Sequence, residues 1–236
     1  MKALILAAGI GSRLAPLTDN LPKSMIRVND KAILENQIEI LQKNGVNDIT
    51  IITGYKGSII EEFVNQKYSN IRIINNSDYL TTNNMYSAFL AKETLDGQGF
   101  LMMNADVFFD YSVINNLINY EKKDSIVVDI GNYIEESMKV VVKDHRITDI
   151  SKGIAQEDAF GVSIDVYKFS AEASKAFFAK CKEYIIDKKE LNQWTEVALN
   201  DILSEIHFSA CPLDGRWMEI DNLNDLECAR SMFVDA

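Results

Sequence analysis

Through the first half of the chain, short apolar runs alternate with segments of helical period, and such strand–helix alternation points to a mostly parallel α/β sheet. The runs 3–8, 48–53, 71–74 and 99–103 read as strands. Between them, segment 33–44 places Leu34, Ile38 and Leu41 on one helical face, and Gly45 stands where a left-handed cap closes a helix. Ser58 and Glu61 form a capping-box pattern for a helix to about 66, and another helix spans about 85–94. Run 99–103 is bounded by Gly99 and Asn104-Ala105-Asp106, so it predicts a buried central strand with a carboxylate just past its end.

The second half breaks the pattern. After a helix at 114–120 and a strand at 125–128, the alternating runs 139–142 and 147–150 flank Lys143-Asp144-His145-Arg146 as a hairpin. This predicts a small antiparallel extension. A strand at 160–166, a helix at 171–184 capped by Ser170, a helix at 194–206, strands at 208–212 and 217–220, and a helix at 223–232 complete the chain. With 236 residues, 47% of them hydrophobic, and no repeat or linker, a single domain over 1–236 is expected.

A net charge of −11 offers no basic face for a phosphodiester backbone, so nucleic acid is not an expected partner. The 3–8 run is too short for a membrane span and lacks a cleavage pattern, so a soluble cytoplasmic protein is expected. Cys181, Cys211 and Cys228 have no metal or disulfide spacing and read as buried thiols. His145 reads as a solvated turn residue and His207 as structural, and with G-x-S-x-G absent a Ser-His-Asp hydrolase has little support.

In open α/β sheets ligands bind beyond the carboxyl ends of the strands, and here the first strand runs into Gly9-Ile10-Gly11-Ser12-Arg13. Glycines 9 and 11 let backbone N–H groups approach an anion. Position 14 is Leu14 and no G-K-S/T follows, so neither glycine fingerprint of dinucleotide or P-loop sites is complete. A dehydrogenase is further disfavoured because the second strand ends Ile52-Thr53-Gly54 without an acid. Arg13 and Lys23, with Pro16 and Pro22 stiffening the segment between them, supply a fork and a point charge for a polyphosphate; the alternative is two ordinary surface cations. A polyphosphate calls for a hard cation such as Mg²⁺ and oxygen ligands. Asp106 is one candidate, and Glu219 and Asp221, flanking Ile220 on an extended chain, share a face. Asp221 is equally placed to cap the last helix.

Leu6-Ala7-Ala8-Gly9-Ile10-Gly11-Ser12-Arg13-Leu14, the later Pro22-Lys23, Asp106 and Glu219-Ile220-Asp221 resemble the signature of the nucleotidyltransferases that join a nucleoside triphosphate to a phosphorylated small molecule. The resemblance covers essentially the whole chain and implies a Rossmann-like, three-layer mixed sheet with helices on both faces. Sugar-1-phosphate members usually carry a Gly-Thr segment where this chain has Thr82-Asn83-Asn84-Met85-Tyr86-Ser87, a stretch similar to the phosphocholine cytidylyltransferase branch, whose relatives also activate aminoethylphosphonate or phosphoglutamine. Asn104 stands where relatives often place a first aspartate.

The resemblance implies transfer of CMP from CTP to such an acceptor, with release of pyrophosphate. A sugar-1-phosphate nucleotidyltransferase is the runner-up, and a non-catalytic nucleotide-binding regulatory subunit the alternative of another class. It implies that Leu6, Ala7, Ala8, Gly9, Gly11 and Ser12 bind the nucleotide together with Asn83, that Arg13 holds the departing phosphates and Lys23 the α-phosphate, and that Asp106 and Asp221 hold Mg²⁺ with Glu219 assisting. For the acceptor, Asn84 and the aromatic Tyr86, Trp194 and Trp217 are candidates for a quaternary ammonium, and Glu157, Asp158 or Glu196 for a primary amine; core packing and a solvated surface are the respective alternatives. Oligomeric state is not legible.

Overall fold

The 3–8 run forms the middle of the main sheet, where Ala3, Leu4 and Ile5 have no exposed surface and no polar face is offered to water. The structure, a computed structural model, describes residues 1–234. In chain order its strands are β1 (Lys2–Ala7), β2 (Arg27–Val28), β3 (Lys31–Ala32), β4 (Asp48–Thr53), β5 (Ile71–Asn75), β6 (Phe100–Asn104), β7 (Val107–Phe109), β8 (Ser125–Ile130), β9 (Lys139–Lys143), β10 (Arg146–Ser151), β11 (Gly161–Phe169), β12 (Ser209–Pro212) and β13 (Trp217–Glu219). Its α-helices are α1 (Ile33–Lys43), α2 (Gly57–Lys67), α3 (Asn84–Leu90), α4 (Lys92–Leu95), α5 (Tyr111–Asn119), α6 (Ala171–Lys182), α7 (Thr195–Ile202) and α8 (Leu223–Met232).

The main sheet runs β10-β9-β11-β6-β1-β4-β5, with β8 on β11 and β12 on β8. Strands β6, β1, β4 and β5 are parallel, whereas β11 is antiparallel to β6, β8 and β9. The mixed, Rossmann-like sheet and its antiparallel extension thus follow the expectation. Alternate residues of β1 enter different cores: Leu4 and Leu6 pack with residues of α3, α6 and α7, while Ala3, Ile5 and Ala7 pack with those of α1, α2 and α5. Two apolar faces on one strand require helices on both sides of the sheet. A third cluster joins Leu14, Ile26, Phe108, Ile220 and Leu226, fastening the 8–25 loop to the end of the chain.

Several boundaries differ from the sequence reading. Ser58 does not cap α2, because the chain enters that helix at Gly57 after a left-handed Lys56 (φ 49°). The helix expected at 85–94 is broken at Ala91 (φ −85°, ψ 1°), a turn that lets Ala91 and Leu95 reach the same core. Helix α5 starts one turn before residue 114, where Tyr111 and Ser112 carry no apolar period. The segment 171–184 leaves α-geometry at Glu183, where a wider turn begins. Helix α7 stops at Ile202, short of 206. Strand β7 was not anticipated; it forms by pairing with β13, far away in sequence. Among the thiols, Cys181 and Cys211 are buried and Cys228 is exposed. His145 (φ 61°) is exposed at the tip of the β9–β10 hairpin, and His207 is exposed just before β12.

Candidate active site

Strand β1 has β4 on one side and β6 on the other, so its carboxyl end lies where neighbouring connections diverge and leave a crevice. A cavity of about 280 Å³ opens there, and Leu6, Ala8, Gly9 and Arg13 line its β1 side. Ala7 is buried in the core behind it and Ser12 is exposed outside its lining. The two loop glycines differ. A Cβ on Gly9 would meet no atom within 4 Å, whereas Gly11 has φ +68° and its Cβ would stand 2.8 Å from Cβ of Lys23. Gly11 therefore admits the Lys23 side chain over the loop, and Gly9 faces open space. Gly54, after β4, is a second close approach: its Cβ would lie 2.7 Å from the carbonyl oxygen of Ala8.

The acids come from two chain segments that meet as a small ribbon. Strand β7 pairs antiparallel with β13, Val107 opposite Glu219, and the N–H of Ile220 donates to the carbonyl of Asp106 at 2.9 Å. Ile220 is fully buried, which turns Glu219 and Asp221 together to the other face. Asn222, not Asp221, caps α8, its side chain accepting from the N–H of Asp225, so Asp221 is available to the site. One oxygen each from Asp106, Glu219 and Asp221 lie within 4.8 Å of one another.

Two cations complete the cluster. Nζ of Lys23 donates to Asp106 Oδ2 at 2.9 Å and to Asp221 Oδ1 at 2.6 Å, and Nη2 of Arg13 donates to Asp221 Oδ2 at 2.7 Å. Burial disfavours the Lys23 ammonium, but the Asp106 and Asp221 carboxylates outweigh it and its pKa lies above the ordinary value. Burial raises Asp221 and the nearby cations, Lys23 first, bring it below the usual carboxylate range. Glu219, which accepts from the Ser137 hydroxyl at 3.1 Å, is pushed up to about 7, by burial and then by the charges of Asp106 and Asp221. Asp106 Oδ1 is buried and has no partner among the described residues. An orphaned carboxylate oxygen among three carboxylates fits a hard divalent ion such as Mg²⁺.

The far wall is built by α3 and α7. Asn83 caps α3, its Oδ1 accepting from the N–H of Asn84, and Asn84 Oδ1 accepts from the N–H of Thr195 at 2.9 Å, seating the start of α7. Both asparagines line the cavity, as do Trp194 and Glu196. The ring of Trp194 carries the Lys152 ammonium at 5.3 Å from its centroid. Other expected contacts lie elsewhere. Tyr86 is outside the cavity lining, its hydroxyl 3.3 Å from Asp78 Oδ2. Trp217 faces a neighbouring hollow, its indole donating to Asp129 Oδ2 at 3.0 Å. Glu157 is exposed on the loop after β10, and Asp158 lines a hollow beside the hairpin.

Sequence reasoning missed Asp165, Tyr167 and Lys152. Asp165 is in β11, where the ladder with β8 is irregular between Ser163 and Tyr167, and it adopts φ +57°. It accepts from Asn104 Nδ2 at 2.8 Å and from the Tyr167 hydroxyl at 3.0 Å. Its carboxyl is raised far above the usual range by burial and by the charge of Glu196. The available signal was an acid inside the apolar strand Gly161–Phe169.

The model of the Nucleotidyl transferase family matches residues 2–227. The CTP:phosphoglutamine cytidylyltransferase of Campylobacter jejuni is 29% identical over 249 aligned positions, covering 96% of this chain and 98% of that protein. The choline-phosphate cytidylyltransferase of Streptococcus pneumoniae is 47% identical over 95 residues, 40% of this chain and 41% of that one. Among solved structures, the CTP:phosphocholine cytidylyltransferase from Streptococcus pneumoniae superposes with a TM-score of 0.84 at 27% identity, covering 98% of this chain and 97% of that chain.

Proposed function

The chain belongs to the nucleotidyl transferase family, and from that premise we propose that it is a single-domain, CTP-dependent cytidylyltransferase that transfers CMP to a small phosphorylated or phosphonate metabolite and releases pyrophosphate. The acceptor belongs to the phosphocholine, aminoethylphosphonate or phosphoglutamine type. The single observation that carries this is the convergence of Arg13, Lys23, Asp106, Glu219 and Asp221 at the mouth of the β1 crevice.

A phosphate or phosphonate oxygen of the acceptor attacks the α-phosphorus of CTP in line, and the bond to the pyrophosphate oxygen breaks. The attacking acceptor oxygen is anionic near neutral pH, so no general base is required, in keeping with two histidines that are both exposed and outside the cavity. Lys23 and Arg13, which pair with Asp106 and Asp221 in the free protein, are assigned to the α-phosphate and to the departing β and γ phosphates. Leu6, Ala8 and Gly9 leave backbone room for the nucleotide, Gly11 positions Lys23, and Asn83 closes the opposite wall. Asp106, Asp221 and Glu219 would hold Mg²⁺, which when bound supplies charge neutralisation at phosphate oxygens. No helix of the described residues is long and apolar enough to cross a membrane; a cytoplasmic site of action accords with the use of CTP. Nucleic acid is no part of this function, given the net charge of −11.

Pyrophosphate release with CTP and a panel of amino-alcohol phosphates and phosphonates tests the roles. Lys23→Ala and Asp106→Ala should each lower turnover ~10²-fold or more, as expected for loss of a transition-state contact. Unchanged turnover in both variants refutes the assignment, and nucleotide binding without pyrophosphate release across the panel indicates a regulatory nucleotide-binding subunit instead.

A further inference from the structure

Asp165, Tyr167 and Glu196 form a chain of hydrogen-bonding oxygens that is short of protons. The Tyr167 hydroxyl lies 3.0 Å from Asp165 Oδ1 and 2.6 Å from Glu196 Oε1, yet it has one proton and can donate to only one of them. The second contact needs a proton on a carboxyl. Glu196 Oε1 also accepts from the Thr195 hydroxyl at 3.1 Å, whereas Glu196 Oε2 is buried with no partner, in a residue only 3% exposed. Asn104 satisfies Asp165 Oδ2. Both carboxyls line the cavity that holds Asp106 and Glu219.

No cation among the described residues forms an ion pair with Asp165 or Glu196, and only the charge of Lys152 acts on Glu196 at longer range. Arg13 and Lys23 are engaged by Asp106 and Asp221, and Lys152, over the Trp194 ring, makes no ion pair with Asp165 or Glu196 among the described residues. Asp165 further holds a left-handed backbone that an aspartate adopts at a cost, within an irregular stretch of ladder. Two buried carboxyls that share one hydroxyl proton, leave Glu196 Oε2 without a donor and have no cation paired to them are complementary to a group that brings both N–H donors and positive charge. Of the aromatic side chains, Tyr86 and Trp217 are outside the cavity, Trp194 lines it with the Lys152 ammonium already against its ring, and Tyr79 lines it while packed edge-on against Tyr55 at 6.3 Å.

We propose that Asp165 and Glu196, bridged by Tyr167, form the subsite for a primary ammonium on the acceptor, and that the enzyme thereby selects primary amines over a trimethylammonium group. The proposal rests on the cytidylyltransferase reading. It assigns the ammonium N–H groups to the Asp165 and Glu196 oxygens, while the acceptor's phosphate or phosphonate faces the Lys23 and Asp106 end of the cavity.

The full-length protein with CTP and Mg²⁺ is assayed by pyrophosphate release. The acceptors are three primary amines (phosphoethanolamine, 2-aminoethylphosphonate and phosphoglutamine), phosphocholine, ethyl phosphate as an uncharged tail, and a sugar 1-phosphate. The best primary amine should exceed phosphocholine and ethyl phosphate at least tenfold in kcat/KM. Glu196→Gln and Asp165→Asn should erase that preference, mainly through the KM for the amine, with the KM for CTP unchanged. If Asp165→Asn does not fold, Glu196→Gln and the wild-type preference decide the matter. Phosphocholine used as well as the amines, or variants that slow every acceptor by one common factor, overturns the subsite while leaving cytidylyl transfer intact. Turnover confined to the sugar 1-phosphate overturns the functional reading itself.

Discussion

Gly9 and Gly11 are two residues apart and do different jobs. At Gly11 a methyl group meets the Lys23 side chain at 2.8 Å from a left-handed backbone, so Gly11→Ala should destabilise the fold by about 1–2 kcal/mol and displace the ammonium that Asp106 and Asp221 share. Gly9 has no neighbour within 4 Å, so Gly9→Ala should leave stability nearly unchanged while raising the KM for CTP, because the methyl group occupies space assigned to the nucleotide. Urea melts and KM measurements on the two variants separate these outcomes. A stable Gly11→Ala enzyme with normal turnover would contradict the positioning of Lys23 by that glycine.

At the scale of elements, the β7–β13 ribbon that brings the acids together is fastened at its end by Asp110 and Arg216. The guanidinium donates to both carboxylate oxygens at 2.9 Å, and the Arg216 N–H adds a third bond at 2.8 Å. Burial raises the Asp110 carboxyl, but the hydrogen bonds and charge of Arg216 bring its pKa below the ordinary value. A carboxyl whose pKa is lower in the folded chain stabilises the fold fully above its unfolded pKa, about 4, and loses that contribution as the pH falls through the folded value. Asp110→Asn should therefore cost about 1–2 kcal/mol at pH 7, allowing for solvent screening at this half-exposed pair. Denaturant melts from pH 7 downward should show the gap between variant and wild type closing below pH 4; a gap independent of pH would refute the charged clamp.

For the whole molecule, the site depends on residues that meet only when the sheet is complete: Lys23 and Asp221 are 198 positions apart. No unfolded chain holds Asp106, Glu219 and Asp221 within a few ångströms, so a divalent ion that binds them favours the folded state alone. Mg²⁺ at about 100 times its dissociation constant should raise stability by about 2.7 kcal/mol, and a chelator should reverse the gain. The triple variant Asp106→Asn, Glu219→Gln, Asp221→Asn should not respond; an equal response would exclude these carboxylates as the ligands.

Features that depend on local geometry were legible in the amino-acid order. The two-faced burial of β6 was readable because an unbroken apolar run has no side to expose, and the shared face of Glu219 and Asp221 because extended residues two apart point alike. Tertiary structure alone decided what depends on distant partners. The pairing of β7 with β13 set where the acids meet, and Asn222 took the capping duty that left Asp221 available. Tyr86 and Trp217 turned to Asp78 and Asp129 instead of the cavity, because a side chain goes to whichever partner the packing of other elements presents. Asp165 shows the limit most clearly: its strand is evident from composition, but the irregular ladder that leads it to Tyr167 exists only once β8 and β6 lie on either side of β11.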